Sequence, residues 1–262
     1  MAEKTFQFLH YTVTDRIAEI VLDRPPANLI DREITLEYLA ALDLADADPD
    51  VSVIVLSGKG KGLSGGADLR VLDAFGPVEM KEFLSLFYVE MVRRVRVLTK
   101  PIIAMVHGYA REGACTLAFT CDMVIASDDA TIGYPGVSVI GAPPGMHVWH
   151  LQQLMGRMKA AELIFTGDPI GAEEAERAGL LTRVVPRAEL RAATMKLAAR
   201  IAEMSPLALR TCRELLYRME DMDFSKVPMT ALDAVSLSFA SEDSQEARRA
   251  FVEKRKPEWK GR

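Results

Sequence analysis

Hydrophobic and polar positions in the first half of the chain switch repeatedly between a short strand pattern and a helical one. Phe8–Val13 and Ile17–Leu22, rich in β-branched and aromatic residues, are split by Thr14-Asp15-Arg16 and predict a hairpin. After the turn Arg24–Asn28, Asp31 suits the N-cap of an amphipathic helix running to about Ala45. Val51–Gly58, reading VSVIVLSG, is a near-continuous apolar run of the kind found in strands covered on both faces. A helix is predicted across Pro77–Leu98, a strand at Ile102–Val106, a short helix from about Gly113 and a strand at Met123–Ala126. The rhythm is strand, turn, helix, repeated.

The character changes after Pro135. Pro135–Gly145, reading PGVSVIGAPPG, is a loop with almost no helical pattern, and the chain beyond it reads mostly as helix. The helical segments are Met146–Met155, Lys159–Thr166, Ala172–Ala178, Arg187–Met204, Pro206–Met219 and Glu242–Lys254, separated by Gly, Pro or Asp. The pattern predicts an α/β chain, with a βα core over 1–200 and a helical part over 201–262. No segment is of low complexity, and no repeat is strong enough to indicate a solenoid, although the strand-turn-helix units are roughly alike.

Composition narrows the classes. With 262 residues and 49% hydrophobic content, the chain can bury a full core. A formal net charge of -5 argues against a broad nucleic-acid footprint, though a local basic cluster can still bind one phosphorylated ligand. Cys115, Cys121 and Cys212 form no CxxC or Cys/His zinc spacing, so no metal is expected, and a reducing, cytoplasmic setting fits the unpaired thiols. No apolar run reaches the roughly 18 residues that cross a bilayer, and the first residues lack the basic-then-apolar order of a signal peptide.

Three readings compete for the glycine turn after Val51–Gly58. Gly60, Gly62 and Gly65 satisfy GxGxxG, but a dinucleotide site also needs an acid about 20 residues on at a strand end, where Glu79 and Glu82 fall in a predicted helix. Gly62-Leu63-Ser64-Gly65-Gly66 satisfies GxSxG, which with Asp122 or Asp128 and His147 or His150 gives the order of a serine hydrolase. No histidine follows His150, however, and Ser64 is better read as a turn hydroxyl. The third reading uses main chain. Gly65-Gly66 lets the backbone turn tightly and leaves the Ala67 N–H at a helix start, and Gly113 offers a second N–H in the same way. Two such groups aimed at one oxygen stabilise negative charge developing on it.

The quoted segments carry a resemblance. RPPANLID, GLSGGADL, VHGYAREGACTLAFTCDMVIAS, the Pro135-Gly136-Val137 loop, AAELIFTGDPIGAEEAERAGLLTRVVP and AFVEKRKPEWKG together look like the crotonase superfamily, also called the enoyl-CoA hydratase/isomerase family, over almost the full length. The resemblance implies a spiral of ββα turns, with a helical C-terminal part that mediates trimers or dimers of trimers. It also implies an acyl-CoA thioester as substrate, with no cofactor beyond the coenzyme A that the substrate carries. By similarity, the Ala67 and Gly113 amides hold the thioester oxygen. Gly65, Ala67, Asp68, Leu69 and Arg70 line the path of the pantetheine and nucleotide. Arg24, Ala27 and Lys254 are candidates for CoA contacts, Lys254 by reaching a neighbouring subunit.

The chain departs from that pattern at two places. Hydratases of the family carry one glutamate three residues after the oxyanion glycine and another just after the next loop's proline; here Thr116 and Gly136 stand there. A positioned acid or base contributes roughly 10²–10⁴ in rate, so water addition lacks its proton carriers. Glu112, at a position the family usually fills with glycine, is one substitute. His147 and His150, three apart on a predicted helix, and Tyr134, just before Pro135, are others, each also readable as a structural residue. Cys115 and Cys121 read as small apolar residues. The expectation is an enzyme that stabilises a thioester enolate. Decarboxylation, a double-bond shift or C–C cleavage stand as alternatives to hydration; decarboxylation suits the two losses best, since departing CO₂ leaves its electrons behind and only one proton must be supplied, but the sequence selects none of them. A non-catalytic acyl-CoA binder stands as the other class.

Overall fold

The chain opens with β1 (Leu9–Thr14) and β2 (Ile17–Leu22), the expected hairpin, turned through Asp15 and Arg16 at φ 50° and 66°. The coordinates are a computed structural model describing residues 5–262. Asp31 caps α1 (Arg32–Ala47) by accepting from the Glu33 and Ile34 amides, and α1 buries Ile34, Tyr38, Ala41, Leu42 and Ala45. Next come β3 (Val53–Gly58), α2 (Leu69–Leu72), α3 (Pro77–Leu84), a π-helical turn Ser85–Glu90 and α4 (Met91–Val97). They are followed by β4 (Ile102–Val106), β5 (Tyr109–Arg111), α5 (Gly113–Phe119), β6 (Met123–Ser127) and β7 (Thr131–Gly133). The second half contains α6 (Gly136–Val139), α7 (His147–Met155), α8 (Arg157–Thr166), β8 (Ile170–Gly171), α9 (Ala172–Arg177) and β9 (Arg183–Val185). It ends with α10 (Leu190–Ala202), α11 (Pro206–Glu220), α12 (Val227–Phe239) and α13 (Glu242–Glu253).

The main sheet has the order β1-β2-β3-β4-β6-β9 and is parallel beyond the first hairpin. A second stack runs beside it in the same chain order. Ile30 pairs with Ala67, Ser64 with Ala110, β5 with β7, and β7 with β8. Each turn of the chain thus adds one strand to the main sheet and a one- to three-residue bridge or strand to the second stack, which makes a spiral of ββα units. Main-sheet strands are apolar on both faces because both are covered. Ile54, Leu56, Ile102 and Ala104 join the larger core under α1, α4 and α5, while Val53, Val55, Ile103 and Ile125 meet Leu190, Ala198 and Ala202 of α10.

Three departures from the sequence pattern have physical reasons. The helix expected over 77–98 is interrupted by the π-turn, which rotates the helical face so that Phe87 stacks on Phe83 while Tyr88 reaches His147. The 135–145 loop contains the single helical turn α6, too short to leave a period in the sequence. No helix is expected from the sequence at 227–239, yet α12 forms there; it has Thr and Ser at several positions, and Met229, Leu232, Val235 and Phe239 remain exposed.

The last helices are fastened to the core by a buried cation. Arg213 of α11 pairs with Asp122 at 2.9 Å and donates to the carbonyls of Val95 (2.5 Å) and Leu98 (2.6 Å) at the C-terminal end of α4, where carbonyls lack their full intrahelical partners. Tyr217 donates to the other Asp122 oxygen at 2.7 Å.

Candidate active site

The glycine turn after β3 is laced between two neighbouring stretches of main chain. On one edge, Gly65 N–H donates to Ala27 O (2.8 Å), Ile30 N–H to Gly66 O (2.8 Å) and Asp68 N–H to Ile30 O (2.9 Å). On the other, Leu63 N–H donates to Tyr109 O (3.0 Å) and Arg111 N–H to Ser64 O (3.2 Å). Asn28 pins the arrangement. It sits buried in the left-handed region at φ 50°, its amide nitrogen donates to the carbonyls of Lys59, Gly62 and Leu63, and its Oδ1 accepts from Arg24 N–H. Asn28 is absent from the sequence candidates; its signal there was an asparagine in a proline turn just before a helix cap.

Within this lacing, the Ala67 N–H donates to no acceptor among the described residues. The same holds for the Gly113 N–H, the first amide of α5, whose intrahelical partner is missing by geometry. The two amides share a neighbour. Ile30 pairs with Ala67, and its Cδ1 lies 3.1 Å from where a Cβ on Gly113 would stand. Gly66, at φ 93°, packs so closely that a Cβ there would lie 2.9 Å from Arg111 O and 3.3 Å from the Glu112 Cβ. The loops that carry Ala67 and Gly113 are therefore in direct contact.

Ser64 is fully buried, and its Oγ accepts the Gly66 N–H at 3.1 Å, which makes it a turn hydroxyl. Neither candidate base of the hydrolase reading bonds to it: His147 pairs with Thr116, and His150 forms no hydrogen bond with Ser64. The dinucleotide reading also lacks its long helix, because the one-turn α2 follows the glycines.

The basic candidates are largely committed. Arg24 pairs with Asp31 at 2.6 Å, donates to Leu29 O and lies over the Phe8 ring, so it braces the turn that carries Ala27. Arg70 forks the Asp68 carboxylate with two 3.0 Å bonds, and that pairing holds the Asp68 carboxyl below its ordinary range. Leu69 is exposed beside them. Lys254 ends α13 in a left-handed conformation at φ 55°; α13 packs on α12, and Lys254 makes no hydrogen bond or ion pair with the 65–70 loop among the described residues.

Next to the two free amides lies a cluster of polar side chains. Thr116 is buried, with its Oγ1 2.5 Å from His147 Nε2. The His147 ring meets Tyr134 edge-on at 4.6 Å and Tyr88 at 5.7 Å. Burial, helped by the charge of nearby His150, pushes the His147 pKa down to about 3, so the imidazole is neutral and a weak base. His150 does not join the cluster; it forms part of the wall of an open cleft with Val92, Phe119, Met146 and Trp149. Tyr134 is fully buried, its hydroxyl has no hydrogen-bond partner among the described residues, and burial raises its pKa. Burial likewise pushes the Cys115 thiol up to about 12 while it donates to Ala110 O, consistent with a small core residue. Tyr88, absent from the sequence candidates, had no signal there because only the π-turn aims it at His147.

Glu112 stands between these groups and the amides. It takes φ 46°, ψ -110°, a conformation that suits glycine, and its half-buried carboxylate accepts the Gly136 N–H through Oε1. Burial raises its pKa, and the Gly136 bond partly offsets this. No group of three or more His, Cys, Asp or Glu able to hold a metal exists among the described residues.

Residues 12–262 match the enoyl-CoA hydratase/isomerase family. The chain belongs to that family. A relative from Rhizobium meliloti, described as a probable enoyl-CoA hydratase, is 36% identical over 262 residues, covering 98% of this chain and all of that protein. The crotonyl-CoA hydratase of Syntrophomonas wolfei is 34% identical over 245 residues, covering 92% of this chain and 94% of its own. The crystal structure of enoyl-CoA hydratase from Bacillus anthracis superposes with a TM-score of 0.93 at 28% identity over 98% of this chain and all of that one. The spiral with its helical C-terminal part is thus the crotonase-like fold, and this family member processes acyl-CoA thioesters.

Proposed function

We propose that this enzyme stabilises the enolate of an acyl-CoA thioester between the amides of Ala67 and Gly113. The observation that carries the reading is that these two N–H groups, on loops in direct contact and sharing Ile30 as neighbour, have no acceptor among the described residues, while the Gly65, Gly66, Asp68 and Glu112 amides beside them are paired. Preorganised donors stabilise charge that appears on an oxygen during reaction, and removing one costs roughly 10²–10³ in rate. Gly65, Ala27 and Asp68 shape the approach to the amides, and Arg70 and Arg24 flank it. Lys254 contributes to CoA binding only if a second copy brings it there. Such an assembly, a trimer or a dimer of trimers, would cover the exposed apolar side chains of α12.

Hydration, the activity named for the relatives, is disfavoured because Thr116 and Gly136 supply no carboxylate and the imidazole beside Thr116 is neutral. Decarboxylation would set a second carboxylate near Glu112, while the neighbouring Arg111 guanidinium is already committed to Ala110 and Thr131. A reaction that moves a proton on the enolate without adding water, such as a double-bond shift, fits best. Purified enzyme offered crotonyl-CoA, methylmalonyl-CoA and 3-hexenoyl-CoA tests this: conversion of 3-hexenoyl-CoA at the highest rate is expected. Rapid hydration of crotonyl-CoA would overturn the discount. Binding of all three without turnover would instead support a non-catalytic binder.

A further inference from the structure

Position 136 has no side chain, yet the space a side chain would fill there is occupied. A Cβ built on Gly136 would stand 2.8 Å from Glu112 Oε1 and 3.2 Å from Ala142 O. The Glu112 carboxylate thus reaches across from the α5 loop and lies where position 136 would project, held by the Gly136 N–H. Glycine at 136 and glutamate at 112 are a matched pair: any larger residue at 136 would push this carboxylate away.

The rest of the Glu112 geometry suits proton transfer. Its Cβ abuts Gly66, one residue before Ala67, and its own carbonyl carbon forms the peptide bond to the Gly113 nitrogen. Oε1 is engaged by Gly136, whereas no hydrogen bond reaches Oε2 among the described residues, so one oxygen is fixed and the other is uncommitted. The residue keeps this place in a backbone conformation that glycine favours, a form of strain that structures retain where function requires it.

We infer that Glu112 is the proton-transfer residue of this site, its carboxylate delivered from the oxyanion loop into the space that Gly136 leaves open. This rests on the thioester reading above. Oε2 takes a proton from C2 of the bound thioester. The C–H electron pair forms the C1–C2 double bond, and the carbonyl π pair moves onto the oxygen facing the Ala67 and Gly113 amides. The neutral carboxyl then returns the proton to C2, or to C4 of a 3-enoyl thioester as the double bond moves to C2–C3. No water is consumed and no oxidant is needed.

The test is exchange of the C2 protons of butyryl-CoA in D₂O, read by mass spectrometry, with butyryl-CoA affinity measured alongside. Wild-type enzyme is expected to exchange, and Glu112→Gln to exchange roughly 10²–10⁴-fold more slowly at nearly unchanged affinity. Glu112→Gly is expected to lose exchange equally while melting at a higher temperature, a combination that a merely structural role would not give. Gly136→Ala should also slow exchange, but not further in the Glu112→Gln background. Glu112→Gly/Gly136→Glu should regain exchange over Glu112→Gly, because the carboxyl returns to the same space from the other loop. Exchange in Glu112→Gln at the wild-type rate, or no exchange by wild type that binds butyryl-CoA, would overturn the role of Glu112. Failure of wild type to bind butyryl-CoA would instead contradict the thioester reading.

Discussion

The main-chain half of the site and its side-chain half follow different rules. The amides of Ala67 and Gly113 are placed by a ladder of backbone bonds that depends on glycine, on Asn28 and on short bridges of the second stack. On the reading proposed above, the side chains around them differ from those of the family's hydratases, with Thr116 and Gly136 at the glutamate positions and Glu112 at a glycine position. Main-chain donors survive many substitutions because they need only a backbone path. Side-chain proton carriers do not, so related folds with the same amides can carry out different chemistry.

The largest way to break this contrast is to restore the family's side chains. Glu112→Gly/Thr116→Glu/Gly136→Glu is expected to raise crotonyl-CoA hydration by roughly 10²–10⁴, measured by loss of the enoyl absorbance; an unchanged rate would mean that the amides, not the carboxylates, limit hydration. Next is removal of a donor. Ala67→Pro should slow every enolate-dependent reaction of the enzyme by roughly 10²–10³ while leaving CoA affinity nearly intact, as kinetics and calorimetry would report.

A smaller effect tests the ladder itself. Asn28→Ala leaves the carbonyls of Gly62 and Leu63 without their buried donor and should destabilise the fold by about 1–3 kcal/mol, visible as a lower urea midpoint. The smallest concerns the side-chain half. Below its ordinary value of 6.5 the unfolded His147 imidazole takes a proton, whereas the folded one stays neutral down to about 3, chiefly through burial. Protonation therefore favours the unfolded chain: this contribution is fully present above pH 6.5 and is lost as pH falls from 6.5 toward 3. Melting curves should show a shallower acid dependence in His147→Gln than in wild type.

Legibility in the sequence tracks the length over which a physical signal extends. Ile102–Val106 was legible because buried strands are continuous apolar runs, and Asp31 because a cap precedes its helix directly. The fold followed from long family segments. The second stack was not legible, since its members are one to three residues long and no period fits in so few positions. The free amides could be named from glycine turns, but their shared neighbour Ile30 could not. The contact between Glu112 and Gly136 joins residues 24 apart on different loops, and no pattern in either segment announces it. Tyr88 was hidden by a π-turn that no helical period foretells.

The proposed joint grip of two amides on one oxygen is most directly tested by the infrared band of the thioester carbonyl, using butyryl-CoA labelled with ¹³C at that carbon. Bound to wild-type enzyme, the band should move to lower frequency than in free butyryl-CoA, keep that shift in Glu112→Gln and lose much of it in Ala67→Pro. A bound thioester whose carbonyl band stays where it lies in water would contradict the assignment of Ala67 and Gly113.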